Sequence, residues 1–326
     1  MCRFLMASLI ALIFVFPQIL PAGAQQGGSF PNRQITIVVP FGPGGATDIV
    51  ARLLAVRISA DLGVTLIVDN RAGGAGNIGT GAVARATPDG YTLVLATTTQ
   101  LINYFMFKDQ GYDFFSDLAP VAILADAPEL VAVSSKVPGN TLADFIKAAK
   151  ASPTGFNYGS AGIGSVPHIG GEVMAKAMGT KMVHVPFRGS ADAMREVAAG
   201  NIELSLATQA SVASLAETGR LKVLAVAAPK RVKTLPNVPT TAEAGLEGVE
   251  LSNWFGVFAP KETDPKIISL LNAAFNKALG NPEVEATLLK QGIEPTRLTP
   301  SEFVARLQDD RKTYHEVLKE LNLAFR

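Results

Sequence analysis

A glycine-rich loop at residues 41–48, with the sequence FGPGGATD, carries the strongest signal for ligand binding in this chain. It follows the β-branched run 35–39 and leads into Ile49, Leu53 and Val56, whose spacing is helical. The first N–H groups of a helix lack intrahelical partners, and the helix dipole adds about half a positive charge there. Main-chain donors at this loop could therefore bind a carboxylate or a phosphate. The loop could equally be a tight turn that needs no ligand.

The candidate binding residues of this loop are Phe41, Gly44, Gly45, Ala46 and Thr47. Phe41 could shield a bound group from water, or it could be an ordinary packing residue. Asp48 lies in the first helical turn, where a carboxylate that faced the ligand would repel an anion. We therefore assign Asp48 to capping.

A second group of reactive side chains follows the loop at residues 159–165. Ser165, His168 and Glu172 are spaced so that they share one face of a helix. With Ser160 or Ser165 as nucleophile and His168 as base, they could form a hydrolase site. A catalytic triad usually draws on separate elements, and the G-x-S-x-G pattern is absent. We instead predict that Ser165 caps the helix and that His168 is a hydrogen-bonded first-turn residue near a cleft.

The segment at residues 184–189, HVPFRG, ends a predicted strand and offers a cationic side chain. Arg188 could clamp a carboxylate with two parallel hydrogen bonds, or it could be a solvated loop residue. Phe187 could exclude water from a cleft, or it could pack in the ordinary way. For each of these two residues, the sequence alone leaves both interpretations open.

Signals for cofactors and metals are weak. Residues 74–79, GAGNIG, fit the G-x-G-x-x-G spacing of dinucleotide sites, but Asp89 precedes the next predicted strand where the motif needs an acid at its end. A glycine-rich surface turn is the better interpretation. His168, His184 and His315 fall in separate elements without metal-ligand spacing, with His184 in a partly buried strand and His315 on an exposed helix. We predict no metal site, no cofactor and no catalytic residues.

The N-terminus decides the cellular compartment. Arg3 precedes an apolar run at residues 4–16, and the small residues at 22–24 suit a signal peptidase, so we predict a cleaved signal peptide at 1–24 and a periplasmic protein. The apolar run is too short for a membrane span, which needs about 20 residues. Cleavage removes Cys2, the single cysteine, and leaves 28 basic against 28 acidic residues. This balance gives no basic surface for nucleic acid or anionic lipid.

The elements that must position these motifs alternate between strands and helices, which predicts an α/β protein with parallel βαβ units. Strands are predicted at residues 35–39, 65–68, 92–96, 121–124, 130–133, 182–185, 202–206 and 222–227, and residues 254–258 are predicted to be extended and apolar. A chain of about 300 residues exceeds one core, and no linker marks a domain boundary. We therefore predict two lobes with short crossings that act as hinges. Residues 25–130 and 253–326 form a discontinuous first lobe, and residues 131–252 form the second.

Over its length from about Phe30 the chain closely resembles the Bug family, the periplasmic receptors of tripartite tricarboxylate transporters. The matching stretches are ITIVVPFGPGGATDIVAR at 35–52, VDNRAGGAGNIGTGAVARATPDGY at 68–91, YGSAGIGSVPH at 158–168, HVPFRG at 184–189, LKVLAVAAPKRVKTLPNVPTTAEAG at 221–245 and TPSEF at 299–303. Several long motifs in family order make a chance match very improbable.

The resemblance implies a two-lobed periplasmic-binding-protein fold of the Venus-flytrap, type II-like kind. It implies that an organic carboxylate is held between the loop at 41–48, with Thr97 and Thr98, and a second-lobe surface. That surface comprises Ser160, Ala161, Gly162, Ser165, Phe187, Arg188 and Gly189, with His168 close by. The resemblance further implies that the closed protein docks onto the membrane permease subunits of such a transporter. We expect a monomer.

One departure from the family pattern concerns the ligand. Where many relatives carry a triplet like FDN, this chain has Leu206, Ala207 and Thr208. An acid there could pair with a ligand ammonium or hydroxyl group, so its absence predicts a ligand without an amino group. Two other functions stay open: a sensing adaptor that engages a membrane sensor kinase, and an exported serine hydrolase.

Overall fold

The β-branched runs of the sequence become the strands of a mixed sheet, and the capped, periodic segments become the helices around it. The computed structural model describes residues 30–324, so the predicted signal peptide at 1–24 lies outside the described residues. The strands are β1 (Ile35–Val39), β2 (Leu66–Asn70), β3 (Thr92–Thr97), β4 (Leu118–Ser134), β5 (Phe156–Ser160), β6 (Met182–Pro186), β7 (Leu204–Thr208), β8 (Leu221–Val226), β9 (Ser252–Pro260) and β10 (Glu294–Pro295). The helices are α1 (Ala46–Leu62), α2 (Asn77–Ala84), α3 (Thr98–Met106), α4 (Leu142–Ala151), α5 (Val166–Met178), α6 (Ser190–Ala199), α7 (Gln209–Glu217), α8 (Pro265–Leu279), α9 (Pro282–Lys290) and α10 (Pro300–Glu320).

The strands follow the order β2-β1-β3-β9-β4-β7-β5-β6, and β8 and β10 also pair with β4. Strands β1, β2 and β3 are parallel to one another, as are β5, β6 and β7. The long strands β4 and β9 are antiparallel to their neighbours and join these two parallel units. The predicted two-lobed α/β architecture with a discontinuous first lobe is confirmed. The first lobe holds β1–β3, β9, β10 and the start of β4, and the second holds β5–β8 and the end of β4.

The separate strands predicted at 121–124 and 130–133 are wrong, because both belong to the continuous strand β4. This strand pairs with β9 as far as Pro128 and with β7 from Glu129 onwards. Pro128 donates no hydrogen bond, but its fixed φ suits an extended chain, so the strand continues where it exchanges partners. The predicted lobe boundaries at 130 and 252 lie beside this exchange and beside the start of β9. The division into 25–130, 131–252 and 253–326 stays a prediction.

Local sequence signals begin and end several helices. Gly63 ends α1 in the left-handed conformation, with φ of 67°. Thr141 and Asp144 form a reciprocal capping box at the start of α4. Asp264 and Thr299 cap α8 and α10, each of which has a proline in its first turn. The boundaries of β2, β7 and β8 differ from the predicted ones by one or two residues, as expected for element ends.

The largest apolar cluster crosses from one lobe to the other. It includes Phe105 and Trp254 of the first lobe together with Phe145 and Tyr158 of the second. Each buried aromatic side chain contributes roughly 1.5–3 kcal/mol, so the cluster ties the lobes together near the crossing strands. Helix α10 packs against β4 and α3, which returns the C-terminal segment to the first lobe. None of the helices described between residues 30 and 324 combines the length and apolar character that a membrane span needs.

Candidate ligand-binding site

A cavity of about 30 Å³ lies between the lobes, beside the crossing strands β4 and β9. Its lining residues are Phe41, Gly42, Gly45, Ala46, Thr47, Thr99, Glu129, Ala161, Pro167, Gly189, Ser190, Thr208, Ser211, Asn253 and Phe255. One water molecule occupies about 10–15 Å³ on the same measure, so the lobes stand close together in this structure. At the rim, a Cβ built on Gly189 would lie 3.5 Å from the amide nitrogen of Gly42 in the opposite lobe.

Three helices begin at this cavity without a side-chain cap: α1 at Ala46, α6 at Ser190 and α7 at Gln209. The amides of Ala46, Thr47 and Ser190 donate to no other group in the described part of the chain. By contrast, a side chain accepts a first-turn amide in α3, α4, α5, α8, α9 and α10. Each uncapped N-terminus carries about half a positive charge. Because no lysine or arginine is among the lining residues, main-chain dipoles supply the positive field for an anion.

Asp48 stabilises the conformation of the glycine loop at residues 41–48. The N-cap residue of α1 is Gly45, so the assignment of Asp48 to capping is wrong in its detail. Asp48 accepts the amide of Gly44 at 3.1 Å and hydrogen bonds from Arg52 and Asn70 at 3.0 Å each. Burial works against its charge, but these hydrogen bonds outweigh burial and lower the pKa of Asp48. The Gly44 amide is thus already bonded within the protein, which leaves donation to a ligand to Gly45, Ala46 and Thr47.

Thr99, one position after the predicted pair, is the threonine that lines the cavity. Thr97 caps α3, where its Oγ1 accepts the amide of Thr99 at 3.2 Å, and Thr98 Oγ1 accepts the amide of Trp254 at 3.0 Å. Both side chains are buried behind the cavity wall. Thr99 Oγ1 accepts the amide of Val166 at 3.4 Å, which is a hydrogen bond between the lobes.

Ser160 is buried and bonded to a histidine that the sequence did not pair with it. Its Oγ lies 2.6 Å from His184 Nε2 and also hydrogen bonds with Gly162 at 3.0 and 3.1 Å. The relative exposure of Ser160 is 0%. A nucleophile has to reach its substrate, whereas this hydroxyl holds the second-lobe loop in shape. Of this loop, Ala161 lines the cavity.

The predicted local roles of Ser165 and His168 are confirmed. Ser165 caps α5 by accepting the amide of His168 at 3.4 Å, and His168 Nδ1 accepts the amide of Gly164 at 3.1 Å. The rings of His168 and His184 stack at 4.1 Å. Burial lowers the pKa of both histidines to about 4, with the charge of His168 adding to the effect at His184. Both rings are therefore neutral at neutral pH and repel no cation or anion.

The other predicted residues take different places. Gly189 lines the cavity, while Phe187 and Arg188 border a neighbouring opening of about 290 Å³. Arg188 is exposed, which fits the solvated alternative better than a buried clamp. His315 is half-buried on α10, where its ring stacks on Phe105 at 5.1 Å. The described residues contain no group of three His, Cys, Asp or Glu side chains that could hold a metal ion.

The glycine-rich segment at 74–79 is only partly the surface turn that the sequence predicts. Gly74–Gly76 forms a single 3-10 turn before α2, and Ala75 within it is buried. The carbonyl oxygen of Ala75 accepts a hydrogen bond from Asn103 Nδ2 at 3.0 Å. A Cβ built on Gly162 would lie 3.1 Å from the Cβ of Ala75. The turn therefore forms part of the contact between the closed lobes.

Sequence reasoning also missed Glu129, Ser211 and Asn253. All three line the cavity, and each has a buried oxygen without a hydrogen-bond partner in the described structure: Glu129 Oε2, Ser211 Oγ and Asn253 Oδ1. Burial raises the pKa of Glu129 to about 8. Glu129 pairs with Thr208 across β4 and β7, so an acidic side chain does lie beside the triplet 206–208. The available signal was a charged residue within an apolar β-branched run.

Comparison with known proteins places this chain in a family. The model of the family described as tripartite tricarboxylate transporter family receptor matches residues 50–323. BugT of Bordetella pertussis is 33% identical over 320 residues, which cover 97% of this chain and 98% of that protein. A solved R. palustris protein with adipate is 34% identical with a TM-score of 0.88, covering 90% of this chain and 99% of that one. MatC from Rhodopseudomonas palustris with bound malate is 30% identical with a TM-score of 0.85, covering 89% and 100%.

These likenesses run through nearly the whole described fold, including both lobes and the crossing strands. The family resemblance read from the sequence motifs is confirmed. The chain belongs to the TctC family of tripartite tricarboxylate transporter receptors, the family of the Bug proteins, whose members are periplasmic solute-binding proteins.

Proposed function

We propose that this protein captures a small organic carboxylate between its lobes and delivers it, chemically unchanged, to the membrane subunits of a tripartite tricarboxylate-type transporter. The observation that carries the proposal is the convergence of three uncapped helix N-termini on one inter-lobe cavity that lacks cationic side chains. The related structures with adipate and malate support this class of ligand.

Capture requires the lobes to open and close. The cavity of about 30 Å³ is too small for a dicarboxylate, so the ligand enters a more open arrangement. The crossing strands β4 and β9 are the connections about which the lobes can rotate. A carboxylate that accepts hydrogen bonds from Ala46 in one lobe and Ser190 in the other stabilises the closed arrangement, because it reaches both donors only there.

Export and assembly state are part of the same proposal. The mature protein begins at Gln25 after removal of residues 1–24 and acts in the periplasm as a monomer. N-terminal sequencing of the protein from a periplasmic fraction should start at Gln25, and light scattering should give the mass of one chain.

Thermal-shift screening followed by calorimetry tests the ligand class. We expect at least one acid from a panel of mono-, di- and tricarboxylates to raise the melting temperature, and its uncharged amide to have no effect. Binding at 100 times the dissociation constant adds about 2.7 kcal/mol to the free energy of unfolding, which such a screen detects. No response across the whole panel would overturn carboxylate capture. Deletion of the gene should then abolish uptake of the acid that binds.

A further inference from the structure

The wall of the cavity formed by the crossing strands is polar and unsatisfied. Glu129 lies on β4, Asn253 lies on β9, and Ser211 lies in the first turn of α7. One side-chain oxygen of each, Glu129 Oε2, Ser211 Oγ and Asn253 Oδ1, is buried and has no hydrogen-bond partner among the described residues. A buried polar atom without a partner costs about 1–3 kcal/mol, so three of them in one cavity point to a ligand that satisfies them.

Glu129 is the most constrained of the three. Its backbone is fully used, because its amide donates to Leu251 at 3.0 Å and its carbonyl oxygen accepts from Ala227 at 2.8 Å. Its side chain has a relative exposure of 1% and lines the cavity. The carboxyl group therefore cannot rotate towards solvent, and it contacts any molecule that occupies the cavity.

The charged and titratable groups around Glu129 offer it no counter-ion. No lysine, arginine or histidine is among the residues that line the cavity with it. Tyr314 of α10 interacts with Glu129 electrostatically. Burial raises the pKa of the Tyr314 phenol most, and the charges of Asp310 and Glu129 raise it further.

The other neighbours of Glu129 are paired elsewhere or do not titrate. Asp126, Arg306 and Asp310 form an ion-paired group with one another. The ladder partner of Glu129 on β7 is Thr208, and β9 presents Asn253, neither of which titrates.

We propose that Glu129, together with Ser211 and Asn253, forms a subsite for a second carboxylate on the ligand, in which Glu129 acts as a neutral acid that donates its O–H hydrogen bond. The inference rests on the proposed function, because the first carboxylate is the one held at the helix N-termini. With Glu129 protonated, its O–H and the Ser211 O–H are donors, and a half-turn of the Asn253 side-chain amide presents its NH₂ group where Oδ1 now lies. A donor set of this kind fits a carboxylate, and an acid–carboxylate hydrogen bond is short and strong.

The same wall disfavours an ammonium group. A ligand cation would lie in the positive field of α1, α6 and α7, which begin at this cavity. A cation would also need Glu129 ionised, and burial opposes that charge. A second carboxylate and an ammonium group on the ligand predict opposite changes in the number of bound protons on binding, so a measurement of that number distinguishes them.

Proton linkage fixes the direction in which ligand affinity changes with pH. Burial raises the pKa of Glu129 to about 8 in the free protein. A second carboxylate against the neutral acid raises the pKa further, so at about pH 8 binding takes up close to half a proton. Affinity should then fall by up to about tenfold for each pH unit above 8. An ammonium paired with ionised Glu129 would lower the pKa instead, so binding would release protons and strengthen from about pH 7 to 8.

Calorimetry in buffers of different ionisation enthalpy, with succinate, malate, glutarate and adipate against monocarboxylates of the same chain length, tests the inference. For the dicarboxylate that binds best we expect at least tenfold preference over its monocarboxylate, and proton uptake at about pH 8. Glu129→Gln, which still donates, should keep affinity within about threefold at pH 7 and lose the proton uptake. The exposed Glu247→Gln is the matched control and should behave as wild type.

The outcomes separate the two proposals. Binding of acids with equal affinity for mono- and dicarboxylates, or with proton release, overturns the Glu129 subsite and leaves carboxylate capture standing. Binding of none of these acids overturns both. If Glu129→Gln fails to fold, the proton stoichiometry and the pH profile of the wild-type protein decide the question alone.

Discussion

Gly162 and Ala75 meet across the closed cleft, so closely that a Cβ added to Gly162 would lie 3.1 Å from the Cβ of Ala75. One residue belongs to the loop after β5 and the other to the turn before α2. Neither is charged, and neither lines the small cavity. Their contact sets how near the two lobes can come, so its effect on ligand binding is steric.

Gly162→Ala should weaken ligand binding by about tenfold, because the added methyl group holds the lobes apart. Gly162 has φ of 121°, outside the left-handed region that alanine can adopt, so the substitution also costs roughly 1–3 kcal/mol of backbone strain. Gly179→Ala is the matched control, since Gly179 has φ of 63° and no neighbour within 4 Å of its built Cβ. Denaturation should show destabilisation in both variants, larger in Gly162→Ala, whereas calorimetry should show weaker binding only in Gly162→Ala. Equal affinities would contradict a steric limit at this contact.

Ala46→Pro should remove one ligand donor without damage to α1. Ala46 is the first residue of the helix, where proline is well tolerated, and Gly45 before it is extended, as proline requires. A hydrogen bond to a charged group contributes about 1.5–3 kcal/mol, so we expect roughly 10- to 100-fold weaker binding and little change in melting temperature. Ala46→Gly keeps the amide and should bind within a few fold of wild type. Unchanged affinity in the proline variant would exclude this amide as a donor.

Arg188→Ala should change affinity by no more than about threefold. Its side chain is exposed and lies outside the cavity, so it contributes mainly a screened, long-range attraction. The small effect should shrink further between low and high salt, as titrations at the two ionic strengths would measure. A loss of a hundredfold or more, insensitive to salt, would mean that Arg188 does clamp the ligand directly.

Glu129 should make the free protein less stable as the pH rises. Its pKa is raised from 4.5 to about 8, so its contribution is fully present below 4.5 and is lost as pH rises through 8. His168 and His184 have pKa values lowered to about 4, so below pH 6.5 they make the free energy of unfolding rise with pH instead. Between about pH 6.5 and 8, urea denaturation should therefore show a loss of roughly 1–2 kcal/mol in wild type.

Glu129→Gln should remove that loss, because the amide does not titrate. At about pH 8 the variant should be the more stable of the two proteins by urea denaturation. Glu247→Gln, at an exposed position, should keep the wild-type slope. A wild-type profile that stays flat over this pH window would show that Glu129 is not held neutral in the folded state.

Features with local causes could be predicted from the sequence. The start and end of α1, the capping box of Thr141 and Asp144, and the Ser165 cap each depend on residues within one turn. The glycine loop after β1 could be singled out for the same reason. The motif pattern over the whole chain then identified the family, which fixed the two-lobed fold.

Features that depend on pairing between distant strands could not be predicted. Ser160 meets His184 because β5 and β6 are adjacent, with Tyr158 opposite His184 in the ladder. Glu129 reaches the cavity because β4 stays extended through Pro128 and exchanges partners there. The sequence shows a proline and a glutamate at that point, which favour a break. The tertiary pairing with β9 and β7 overrides that local preference.

Strand β4 has one further consequence, for folding. It supplies a central strand to the sheet of each lobe, and Val131 and Tyr158 share an apolar cluster with Trp254. Neither lobe has a complete sheet without this segment, so neither can be excised as an autonomous unit. Heating should produce a single cooperative transition, and a chain cut within β4 should yield two aggregation-prone fragments with unpaired edges.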